Sequence, residues 1–170
     1  SVERAETGHR VALNLNALST DEVRPGDFLA TPHTVTATDR FDADFTFLGL
    51  PSSDKPLESG ARVHVSHGTR EVIGRILRIG DEQVFKPGER TYAQIRLDEE
   101  LPVSWQDHFI VRSYSPVHVI GGGVVLRAHP KRSTTETPEK IALLDALRDG
   151  DGNRAAECAF NLEKAPVTCE

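Results

Sequence analysis

Four arginines, Arg62, Arg70, Arg75 and Arg78, fall within residues 61–80, ARVHVSHGTREVIGRILRIG. A guanidinium is a permanent cation whose forked donors match phosphate oxygens. From Arg62 to Arg96 there are seven Lys and Arg against four Asp and Glu, a local excess of three positive charges in a chain of net charge -6. A basic strand surface on an acidic chain is a candidate for touching phosphates. The same composition also describes an ordinary solvated strand face, so charge alone does not decide.

Other chemistry is thinly represented. No G-x-x-x-x-G-K-[ST] stretch exists to cradle a nucleotide phosphate. The seven histidines are scattered, and His64 and His67 fall on a strand and its corner, where they point to opposite faces. A shared metal is therefore not expected. Ser104, Asp107 and His108 have the residue types of a catalytic triad, but closeness in sequence does not supply its geometry. Trp105 is expected to pack beside the Pro102 turn. These residues point to a binding surface with no catalytic set.

The elements that must hold such a surface are strands. Val63 and Val65 alternate with His64 and Ser66, the period of a half-buried strand. His67-Gly68-Thr69 breaks the pattern as a tight corner, and a β-branched run resumes at Val72. Upstream, Phe41, Ala43, Phe45 and Phe47 share one face, with Asp42, Asp44 and Thr46 on the other. Downstream, Ala93, Ile95 and Leu97 face inward while Gln94, Arg96 and Asp98 face outward. Residues 108–114 and 117–127 complete about six strands spaced by turns, which predicts a small antiparallel barrel or sandwich. Gly121-Gly122-Gly123 inside the last strand predicts a bulge or a close backbone approach.

The two ends differ from this middle. Residues 8–30 hold two strand candidates, one carrying Val11, Leu13 and Leu15 and one starting at Phe28, around an Arg24-Pro25-Gly26-Asp27 turn. Two strands bury no core alone, so they read as an edge of a missing sheet or part of the next barrel. After Pro130, Thr137 suits an N-cap and Pro138 the first helical position, with Ile141, Leu144 and Leu147 at helical spacing. Residues 153–162 predict a second helix, halted by Pro166. Methionine is absent and the chain starts in a polar run, as expected of a piece cut from a longer protein. Cys158 and Cys169, with no signal peptide or spanning helix, predict free thiols in a reduced, cytoplasmic compartment.

Three phrases together resemble one family. GHRVALNL followed by VRPGDFLA is similar to the end of the second domain of translational GTPases of the elongation factor Tu class. SHGTREVIGRI and FIVRSYSPVHVIGGGVVL resemble the third-domain barrel of the selenocysteine-specific elongation factors. The resemblance covers residues 5–130 and implies a mainly β fold: a six-stranded antiparallel β-barrel of the translational GTPase domain III type, with an N-terminal β remnant and a short helical C-terminal tail. The domains would be 1–31, the incomplete end of a second-domain barrel; 32–129, the third-domain barrel; and 130–170, a linker and the start of a winged-helix region.

The resemblance implies a tRNA-gripping barrel with no enzymatic activity and no cofactor of its own. The full-length protein would bind GTP and Mg and deliver selenocysteinyl-tRNA to the ribosome. Missing C-terminal domains would reach a selenoprotein mRNA hairpin; a monomer off the membrane is expected. Stem recognition should run through phosphates and 2′-hydroxyls. The implied contacts are His67, Thr69, Arg70, Arg75 and Arg112, and Arg10 would belong to the pocket for the selenocysteine side chain. Two alternatives are the barrel of another translational GTPase, or that of a sulfate-activating GTPase that binds no tRNA.

Overall fold

The structure is a computed structural model that describes residues 4–19, 21–32, 34–51, 53 and 55–163. Its centre is a closed antiparallel barrel built from β1 (Ala37–Phe47), β3 (Ala61–His67), β4 (Arg70–Arg78), β6 (Arg90–Pro102), β7 (His108–Ser113) and β8 (Val119–Ala128). The hydrogen-bonded order around the barrel is β1-β6-β4-β3-β7-β8. Two further strands, β2 (Leu57–Glu58) and β5 (Val84–Phe85), make a two-stranded ribbon.

Strict alternation builds the core. Phe41, Ala43, Phe45 and Phe47 are all fully buried, as are Val63, Val65, Ile76, Ile95 and Val111 from the neighbouring strands. Phe41 meets Phe109 edge-on at 5.2 Å, and Phe45 meets Phe85 at 5.5 Å. Burying one such ring is worth roughly 1.5–3 kcal/mol. Closure leaves no open sheet edge and needs strands to approach closely. That explains Gly121-Gly122-Gly123, which runs beside β1 and β7. A methyl on Gly123 would overlap the Asp44 carbonyl oxygen, and one on Gly122 the Phe109 carbonyl oxygen.

The two C-terminal helices, α1 (Pro138–Asp149) and α2 (Gly152–Glu163), form as their signals predict. Thr137 Oγ1 accepts from the Lys140 backbone N–H at 3.2 Å, and Gly150 closes α1 in the left-handed region with φ 76°. Leu144 packs on Ile79 and Leu126 of the barrel wall. Trp105 does not pack as expected beside Pro102: it is half exposed, and its indole Nε1 donates to the Leu147 carbonyl at 3.1 Å. The outer face of β1 is covered at Asp42 and Asp44. Asp42 is 1% exposed beneath residues 131–133 and Lys140. Asp44, 6% exposed, is gripped by Arg90. Cys158 is a half-buried free thiol; Cys169 and Pro166 lie outside the described residues.

One expectation fails. The described residues between 4 and 36 contain turns and no strand, although the Arg24-Pro25-Gly26-Asp27 turn is present, closed by Asp27 N–H to the Arg24 carbonyl at 3.1 Å. The alternation of Val11, Leu13 and Leu15 is real, but a strand also needs a neighbour's backbone groups, and the closed barrel offers no free edge. Val11, Leu13 and Leu18 are correspondingly exposed.

Candidate nucleic-acid interface

Cross-strand register gathers arginines that are far apart in sequence. Arg62 on β3 pairs in register with Arg75 on β4, Arg75 with Arg96 on β6, and Arg96 with Arg40 on β1. Their neighbours Val63, Ile76, Ile95 and Phe41 fill the core, so period-2 geometry turns all four guanidinium stems outward. Like charges directly opposite one another are destabilising in a sheet. Four in a row form a ridge of cations that a polyanion would relieve.

Local bonds fix the ridge without neutralising all of it. Arg62 Nη2 meets Asp98 Oδ2 at 3.0 Å, and its guanidinium carbon lies 4.9 Å from the centre of the Tyr114 ring. Arg75 is exposed and donates to the Gly60 carbonyl at 2.9 Å. Arg96 donates to Gln94 Oε1 at 2.9 Å. Burial, and then the nearby Arg132 and Arg40, push the Arg96 guanidinium below its ordinary value. It remains a cation, because arginine does not lose its proton in proteins. Arg40 donates through Nε to the Pro130 carbonyl at 2.7 Å and pairs with Asp39 at 2.6 Å.

Beside the ridge lies a second group on the same face. Arg112 on β7 is in register with His64 on β3, which is in register with Ile73 on β4. The His64 ring stacks on Tyr114 at 5.6 Å, with the planes 17° apart. Glu71 is the acid of this group and sits against Arg112, whose hydrogen bond holds its carboxyl below the usual carboxylate range.

The residues singled out from sequence divide by strand parity. Arg75 and Arg112 lie on the outer face just described. Thr69 is exposed at the tip of the β3–β4 corner. His67 and Arg70 have the opposite parity and belong to the rim of the barrel. His67 is 5% exposed, stacks on Phe28 at 5.5 Å and meets Asp107 Oδ2 through Nε2 at 3.1 Å. A ring so enclosed is a packing residue and not a surface contact. Arg70 is half-buried between Glu99 at 3.1 Å and Asp27 at 3.7 Å. The N-terminal turn lies directly on it, since a methyl on Gly26 would overlap its side chain. Arg78 is also structural: it bonds Glu89 Oε1 at 2.7 Å and the Val84 carbonyl at 3.2 Å.

Arg10 is exposed in the turn-only N-terminal stretch. Sequence reasoning placed Arg62 in the basic stretch without carrying it into the implied contacts, and it passed over Arg96 and Arg40 as candidates. Arg96 carried a usable signal, its outward parity in residues 91–101, but the register that aligns it with Arg75 is not written in either strand alone. Among the described residues no three His, Cys, Asp or Glu side chains gather to hold a metal ion, and no helix is long and apolar enough to cross a membrane.

Residues 47–132, half of the chain, match the family model described as the selenocysteine-specific elongation factor β-barrel domain. The chain belongs to the selenocysteine-specific elongation factor family. It is 35% identical over 126 residues to the selenocysteine-specific elongation factor of Desulfomicrobium baculatum, covering 74% of this chain and 19% of that protein. With the factor of that name from Haemophilus influenzae, identity is 32% over 169 residues, 99% of this chain and 26% of the relative. Elongation factor Tu 2 of Streptomyces avermitilis is 28% identical over 126 residues, 73% of this chain and 32% of the relative. The chain thus spans a fifth to a third of these relatives' lengths. Arg62, Arg75, Arg96 and Arg112 lie within the span of the selenocysteine-specific elongation factor barrel, and Arg40 lies just before it.

Proposed function

We propose that this barrel grips the double-stranded stem of a tRNA, and that the selenocysteine-specific elongation factor to which it belongs delivers selenocysteinyl-tRNA to the ribosome at the expense of GTP. The observation that carries this reading is the outward row Arg62–Arg75–Arg96–Arg40 on the closed barrel. Neighbouring strands lie about 4.8 Å apart along the curved barrel wall, so adjacent members of the row, such as Arg62 and Arg75, can meet neighbouring phosphates. A-form grooves hide base edges, which leaves phosphates and 2′-hydroxyls as the features to read. Arg75, Arg62 and Arg112 are the principal contacts and Thr69 a peripheral one. Arg70 and His67 support the corner from the rim.

On this reading the barrel performs no catalysis. GTP and Mg bind elsewhere in the full-length factor, which works in the cytoplasm. Recognition of a selenoprotein mRNA hairpin would fall to other parts of it. Arg10 would enter the selenocysteine pocket as one cationic wall, where a guanidinium favours an ionised selenol over a neutral hydroxyl.

Filter binding of selenocysteine tRNA to the 170-residue chain across a salt series tests the reading. Binding should weaken steeply as salt rises, and Arg75→Ala should weaken it further. Salt-independent binding, or an Arg75→Ala variant that binds as the parent does, would contradict it.

A further inference from the structure

Glu71 meets three side chains drawn from two other strands, Arg112 on β7 and Ser66 and His64 on β3, the other arm of its own hairpin. Its Oε2 accepts from Arg112 Nη1 at 2.7 Å and from Ser66 Oγ at 3.0 Å. Its Oε1 faces His64 Nδ1 at 3.2 Å. The sheet sets this convergence, since Ser66 is in register with Glu71, and His64 with Arg112. The His64 ring is steadied by its stack on Tyr114, the ring over which Arg62 lies. The cluster is thus continuous with the arginine row.

We infer that this cluster is a phosphate subsite for an RNA backbone, and that the Glu71 carboxylate occupies it as an internal anion when no RNA is bound. The inference rests on the RNA-binding reading above and adds a named subsite and a competitor to it. A carboxylate and a phosphodiester present the same two-oxygen anionic edge to a guanidinium, so either satisfies Arg112 and the Ser66 hydroxyl. The exchange is sterically open. The Glu71 and Arg112 side chains are 38% and 39% exposed, so the carboxylate can swing out without disturbing the core.

The exchange also costs little. An ion pair at the surface contributes little, whereas an RNA phosphate brings counterion release as well. Glu71 therefore holds the donors in place in the free protein and weakens RNA binding by competing for them. It acts as a brake on any polyanion that reaches only this subsite. A stem that also spans the arginine row overcomes it.

The test is a double-mutant cycle in RNA affinity. An RNA hairpin made of the acceptor and T stems of selenocysteine tRNA is titrated into the 170-residue chain at low salt. Parent, Glu71→Gln, Arg112→Ala, the double variant and Glu100→Gln are compared, with thermal melts confirming that each is folded. Glu100→Gln removes the same charge from an exposed position at the far end of β6 and controls for net charge. Glu71→Gln should tighten binding roughly fivefold while Glu100→Gln stays within about twofold. The gain should vanish when Arg112 is already alanine.

Tight binding by the parent with no gain in Glu71→Gln overturns the subsite and leaves the RNA reading standing. So does a gain equal to that of Glu100→Gln, or one that persists without Arg112. No binding by the parent at low salt overturns both.

Discussion

Arg75 and Arg96 are register partners on adjacent strands of the barrel, two cations on one outer face. Like charges directly opposite one another disfavour a sheet, and on the proposed reading an RNA backbone relieves them. Arg75→Ala should therefore separate binding from folding. Melting should stay within about 0.5 kcal/mol of the parent, or improve slightly as repulsion is relieved. RNA affinity should fall, and the slope of log K against log salt should shrink by about one. Arg70→Ala should do the reverse: it loses the pairs to Glu99 and Asp27, so stability should drop while the salt slope is kept.

The glycine run of β8 offers a test of barrel closure. Gly123→Ala would drive a methyl into the Asp44 carbonyl oxygen, which belongs to a paired strand and has no room to retreat. Urea denaturation should show a loss of about 1–3 kcal/mol. Gly152→Ala, where the added methyl meets open space at the start of α2, should be neutral or mildly stabilising. Equal tolerance at both positions would mean that β8 does not approach β1 this closely.

Acid stability should report the Arg78–Glu89 pair. The Arg78 hydrogen bond holds the Glu89 carboxyl below the usual carboxylate range. A depressed native value means that the unfolded chain binds the proton more readily. The pair's contribution is complete above the unfolded value, about 4.3 for a glutamate, and fades as pH falls from there through the native value. Chemical denaturation between pH 6 and pH 3 should show Glu89→Gln less stable than the parent at the upper end, with the gap closing toward the lower. A gap that is constant with pH would contradict the assignment.

Docking of the helices can be followed with the chain's only tryptophan. The Trp105 indole donates to the last turn of α1, and Leu144, 1% exposed, anchors that helix on Ile79 and Leu126. Leu144→Ala should cost about 2–5 kcal/mol in that docking. Trp105 emission should shift to the red at a lower temperature than barrel unfolding measured by circular dichroism. Coincident transitions in the variant, at the parent's temperature, would show that α1 does not rest on this contact.

The barrel was legible in the sequence because closure depends on alternation, and alternation is local: Phe41 to Phe47 and Ala93 to Leu97 announce their buried faces directly. The helix signals Thr137, Pro138 and Gly150 are local too, and each does what its type predicts. The candidate interface was legible only in part. His67 and Arg70 have the parity opposite to the outward arginines, a distinction contained in the spacing of Val63, Val65 and His67. The alignment of Arg62, Arg75, Arg96 and Arg40 depends on register between strands that are distant in sequence, with bulges at Thr38/Arg40 and Asp42/Ala43 that no residue type announces. Residues 8–30 misled for the opposite reason, since their alternation is genuine and the partner edge is lacking.

The central claim is that the outward arginines of the barrel wall meet an RNA backbone. Side-chain Nε–Hε resonances of arginine, recorded as the acceptor–T-stem RNA hairpin is added to the 170-residue chain, test it most directly. Arg62, Arg75 and Arg112 should shift and saturate together, while Arg78, locked to Glu89 at the barrel end, stays where it was. Shifts confined to arginines off this face, or none while the RNA is bound, would contradict it.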